Sequence, residues 1–135
     1  MTRFVRFVEA TRKENPWQAT GVITTAYELL DAKKLTKQEA MNVRAMFRWF
    51  NRHLPCPPFS KNRKSGAWTK DAVSWFRTTA KEPISRLAPI IFVLRQHGLM
   101  VRTLRANYPG KIVYRDEFQV VAETPRKQRN GKVDL

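Results

Sequence analysis

Apolar positions along this chain follow two periods, and the changes of period mark its elements. Residues 3–9 set Phe4, Val5, Phe7 and Val8 around Arg6, a β-branched and aromatic run that predicts a short strand. Asn15-Pro16 then signals a turn or a helix entry, since proline suits a first helical position. Residues 19–34 carry Val22, Ile23, Ala26, Leu29 and Leu30 near helical spacing and predict the first helix, with Gly21 blurring its start.

The sharpest boundary is Thr36-Lys37-Gln38-Glu39, a capping box in which hydroxyl and carboxylate satisfy free N–H groups at a helix start. Ala40, Val43, Phe47, Phe50 and Leu54 then share one stripe, flanked by Met46 and Trp49. Arg44, Arg48, Asn51 and Arg52 lie away from it, toward solvent. Pro55, Pro57 and Pro58 end this second helix, because proline lacks a donor and disfavours the α conformation before it.

Residues 59–68, FSKNRKSGAW, read as a basic loop. Thr69 is the expected cap of a third helix running through Val73 and Phe76 to Thr79. Ile84, Leu87, Ile90, Ile91 and Leu94 mark a further helical face, which Pro83 and Pro89 either start or kink. Gly98 suits the left-handed position that closes a helix. Beyond it the period shortens. Residues 100–106, 111–115 and 118–123 predict three strands, joined by a tight turn at Tyr108-Pro109-Gly110 and a second at Asp116-Glu117. Strict alternation puts Lys111, Val113 and Arg115 on one face, and Arg102 and Arg105 on opposite faces.

The expected fold is therefore α+β: an N-terminal strand, three to four helices and a C-terminal antiparallel β-meander. Its sheet core would draw on Phe4, Val101, Tyr114 and Val120. Residues 1–123 form the single expected domain, and residues 124–135, TPRKQRNGKVDL, too poor in apolar side chains to pack, form a flexible basic tail. The alternative architecture is a winged helix-turn-helix, with the helix after Thr69 in a major groove and the turn at residues 108–111 as the wing.

Charge decides which partners suit such a fold. The 135 residues hold 26 Lys and Arg against 11 Asp and Glu, a formal net charge of +15. An excess of this size attracts polyanions, and the expected partner is nucleic acid, DNA or RNA. With 42% hydrophobic residues the chain has enough apolar material to fold. No apolar run approaches the roughly 20 residues that span a bilayer, and no continuous apolar signal core is present, so no membrane association is expected. One cysteine, Cys56, excludes an internal disulfide and a Cys-rich zinc site. The expected setting is the reducing cytoplasm, with no cofactor.

Three basic segments are the candidates for phosphate contact. Lys61, Arg63 and Lys64 sit in the loop beside Trp68, an aromatic able to stack on a base. Lys111 and Arg115 belong to the strands, where the competing role of such charges is to keep a sheet edge soluble. Arg126, Lys127 and Arg129 lie in the tail. Phosphate contacts position a protein without reading sequence, so none of these implies specificity.

Catalytic constellations are poor, and no catalytic or metal-binding residues are assigned. His53 and His97 each stand near a helix end but nothing brings them together, and Cys56 near His53 has the setting of a packed corner. Asp116, Glu117 and Glu123 lack the lysine that accompanies carboxylates in many metal-dependent nucleases. A small basic nucleic-acid-binding accessory or regulatory protein, using mainly phosphate-backbone contacts, is therefore the leading expectation. A non-enzymatic inhibitor or adaptor that docks on an acidic or nucleic-acid-processing protein is second, supported by four tryptophans, Trp17, Trp49, Trp68 and Trp75, if they are exposed. A metal-dependent or histidine-based nuclease is third.

Overall fold

A computed structural model of the chain describes residues 2–11, 17, 19–55 and 72–125. In order they form β1 (Phe4–Glu9), α1 (Val22–Asp31), α2 (Lys37–His53), β2 (Ala72–Arg77), α3 (Lys81–Ser85), α4 (Ala88–Gln96), β3 (Val101–Ala106), β4 (Lys111–Arg115) and β5 (Gln119–Glu123). The fold is α+β. All five strands join one antiparallel sheet in the order β3-β1-β2-β5-β4.

The helix boundaries follow from local chemistry. Thr36 accepts from the Glu39 amide at 3.1 Å while Glu39 accepts from the Thr36 amide at 2.9 Å, completing the capping box of α2. Pro83 and Pro89 fall in the first turns of α3 and α4, where amide donors have no intrahelical partner to lose. Gly98, at φ +77°, ends α4: its amide bonds Arg95 O and the Leu99 amide bonds Leu94 O, the paired closure that a left-handed residue allows.

Two expectations fail. The segment after Thr69 that was read as a third helix is strand β2, paired along its length with β5 from Ala72↔Glu123 to Phe76↔Gln119. Alternation won over helical spacing: Val73 and Trp75 share one face, and Trp75 is fully enclosed. With an interior strand in place of the recognition helix, the winged-helix alternative falls. The meander is also only half formed. β4 and β5 pair, but β3 pairs with β1, so Tyr108-Pro109-Gly110 links the two edges of the sheet and is not a hairpin turn.

That short link shapes the sheet. The five peptide steps from Ala106 to Lys111 reach at most about 19 Å. In a flat sheet the two ends would lie about 25 Å apart, four strand spacings across and most of a strand length along. The sheet is therefore strongly curled. Its inner face is filled by one apolar cluster, Phe4, Val8, Trp75, Leu104 and Val120, with Ile112, Trp17 and Ala19 packed against it, so all five strands contribute and no helix does. The opposite face carries Phe7, Phe76 and Val101 against the helices, where Val22, Ala26, Val43, Phe47, Phe50, Leu87, Ile90, Val93 and Leu94 form the second core. Of the anticipated sheet core, Phe4 and Val120 are buried, and Val101 and Tyr114 are half-buried.

β1 and β2 pair only at Phe4↔Arg77 and Val5↔Phe76 before they part. Residues 19–21 enter the gap, with Val8 bridging Gly21 and the Glu9 amide bonding Thr20 O. The Arg6 guanidinium spans it, donating to Ser74 O at 3.2 Å and Ala19 O at 2.9 Å. Burial lowers this guanidinium to about 10, which still leaves it charged at neutral pH.

Candidate nucleic-acid interface

Most of the anticipated phosphate contacts, Lys61, Arg63, Lys64 and Trp68 in the loop and Arg126, Lys127 and Arg129 in the tail, lie outside the described residues. Lys111 and Arg115 are described and exposed on edge strand β4. They do not share a face. A bulge between Ile112 and Tyr114 shifts the register, so Lys111 opposes Glu123 while Arg115 opposes Val120, on the other side of the sheet. Arg102 and Arg105 do occupy opposite faces of β3, as alternation requires, opposite Val8 and Val5.

The residues that do converge are on α2. Its buried stripe of Ala40, Val43, Phe47 and Phe50 packs into the helical core, with Phe47 stacked on Tyr27 of α1 at 3.7 Å. This fixes the helix about its axis and turns Arg44, Arg48 and Arg52 outward, all exposed. Four-residue spacing advances each arginine by about 6 Å and rotates it by about 40°, so the three form one gently winding ridge. Glu39 is the only acid on α2, and it is committed to the cap and to His97. Among the described residues, Arg86 is the only Lys or Arg in an ion pair, with Glu82 at 2.8 Å.

The C-terminal half of α2 adds aromatics to the ridge. Trp49 is half-buried, with His53 parallel to it at 4.4 Å and the Arg86 guanidinium 5.0 Å from its ring centre. His53 Nδ1 donates to Trp49 O at 2.9 Å, which holds the imidazole against the indole. Ala45, Arg48, Trp49, Arg52 and His53 line an open hollow of about 180 Å³. On the helix, Ala45 lies between the arginine pair and the aromatic pair, so its short side chain forms the floor.

Comparison with known proteins finds no match: no family model, no curated protein and no solved structure resembles the chain.

The remaining candidates separate. His97 Nε2 donates to Glu39 Oε1 at 2.9 Å at the start of α2, whereas His53 ends the same helix, so about 20 Å of helix divides the two imidazoles. The His97 bond, followed by that from the Thr36 amide, holds the Glu39 carboxyl below its usual value. Burial alone would raise Asp116, but donors from the Tyr114 hydroxyl, the Phe118 amide and the Gln119 side chain and amide outweigh it and hold the carboxyl low. Asp116 thus organises the β4–β5 turn. Among the described residues no three His, Cys, Asp or Glu side chains gather as metal ligands, and no helix is long and apolar enough to cross a membrane. Of the tryptophans offered for protein docking, Trp75 is wholly buried, Trp17 is half-buried beside it at 5.2 Å, and Trp68 is not described.

Sequence reading placed the α2 arginines in solvent without assigning them a role. Their signal was the i, i+4, i+8 spacing on a helix whose apolar face was already legible.

Proposed function

We propose that the protein is a nucleic-acid-binding accessory or regulatory factor that grips phosphates through the Arg44–Arg48–Arg52 ridge of α2. The ridge is the observation that carries this reading. Like charges four residues apart destabilise a helix by roughly 0.2–0.5 kcal/mol per pair, and no acid is interleaved here to offset the repulsion. Stability therefore does not explain the ridge, whereas a polyanion neutralises all three charges at once and releases its own counterions in doing so. The basic loop and tail, and Lys111 or Arg115 on the sheet edge, add positive charge to the chain without adding sequence readout.

Fluorescence anisotropy with labelled DNA and RNA tests it. The wild-type chain is expected to bind at low salt, and Arg44→Ala/Arg48→Ala/Arg52→Ala to bind all sequences more weakly and by similar factors, with an unchanged circular dichroism spectrum. An acidic protein partner captured through the same ridge, with no nucleic-acid affinity even at low salt, would overturn the reading in favour of the adaptor.

A further inference from the structure

We infer that the interface on α2 accepts an unpaired nucleotide, its phosphate on Arg48 and Arg52 and its base on the exposed His53 imidazole, which is itself stacked on Trp49. The inference rests on the phosphate-binding reading above and adds the class of nucleic acid. Three features of the hollow carry it. Its two walls differ in kind, guanidinium on one side and aromatic rings on the other, which is the pairing that a nucleotide presents in reverse. Its floor is Ala45, the one short side chain between those walls, so there is room above the helix at that point. Its volume of about 180 Å³ is well below the roughly 300–1,000 Å³ of sites for drug-sized ligands and suits a single ring.

A base inside a duplex has both faces stacked and its pairing edge occupied, so it cannot enter such a hollow. A base in a single strand, loop or bulge can be splayed out and laid on an aromatic wall. Arg86, reaching over Trp49 from beyond α3 while tied to Glu82 through its Nε and Nη2, backs that wall from a second element and limits its rotation. The aromatic side is therefore preorganised, which lowers the ordering cost of stacking.

Phosphate contacts alone favour the duplex, whose charge density is higher, so a preference for single strands marks base stacking, and its loss on filling the hollow assigns that stacking to α2 and not to Trp68. The experiment compares a labelled single-stranded oligothymidylate with a duplex of equal length, on the wild-type chain and on Ala45→Leu. Leucine is nearly as good a helix former as alanine, and at this half-exposed site it fills the hollow without replacing a cation. The wild type is expected to prefer the single strand, and Ala45→Leu to weaken that binding about tenfold, the loss of one stacked base, while duplex binding stays within about twofold. Arg52→Ala, as the second variant, is expected to weaken both probes. Equal affinity of the wild type for the two probes, or an Ala45→Leu chain that retains both or loses both alike, overturns the inference and leaves the phosphate ridge standing. Failure of the wild type to bind either probe at low salt overturns the ridge itself and this inference with it.

Discussion

Phe47 and Glu39 show what single residues decide in this protein. Phe47 is 6% exposed, at the centre of the α2 stripe, and lies flat on Tyr27. Phe47→Ala removes transfer energy and leaves a cavity, so a loss of about 3–5 kcal/mol is expected in urea unfolding; a near-neutral change would contradict the helix orientation that turns the arginines outward. Glu39 makes a pH-dependent contribution. Its folded pKa is depressed by His97 and the cap, so its stabilisation is complete above the usual glutamate value and is lost as pH falls through the lower folded value. The stability gap between wild type and Glu39→Gln should therefore close on acidification, as unfolding at a series of pH values would show; a gap constant with pH would contradict it. Both residues were legible in the sequence, one from its place on a 3.6-residue period and the other from a four-residue motif. Lys111 and Arg115 were not, because a bulge depends on how two strands meet and leaves no mark on alternation within one.

At the scale of elements, the instructive case is β2. Val73 and Phe76 fit helical spacing and Val73 and Trp75 fit a strand, and in a six-residue segment neither period dominates. Pairing with β5 on one side and β1 on the other settled the choice, and those partners lie far away in sequence. β3 repeats the lesson: a proline-glycine turn signal predicted a local hairpin, but β3 found β1 from Phe4↔Ala106 to Glu9↔Val101. The helices were read correctly where caps and glycine closures are local. Native-state hydrogen exchange checks the arrangement, because interior strands open only with the whole sheet. Amides of β2 and β5 are expected to exchange slowest, and those on the free sides of β3 and β4 fastest. Rapid exchange through residues 72–77 would contradict a central β2.

For the whole molecule, the net charge of +15 raises the expectation of a polyanionic partner but does not say where the charge converges. The sequence drew attention to the segments richest in cations, whereas the described convergence is set by tertiary packing. Burial of one face of α2 leaves three arginines in register on the other, next to an aromatic pair supplied by the same helix and backed by Arg86. The curled sheet serves as the base on which the helical layer, and with it this ridge, is held. The salt dependence of binding tests that placement most directly. Each phosphate contact contributes about −0.9 to the slope of log affinity against log salt on duplex DNA, so removing the three ridge arginines should make the slope shallower by up to about 2.7. An unaltered slope in Arg44→Ala/Arg48→Ala/Arg52→Ala, in a chain that still binds and still folds, would contradict the claim that α2 is the surface that grips the nucleic acid.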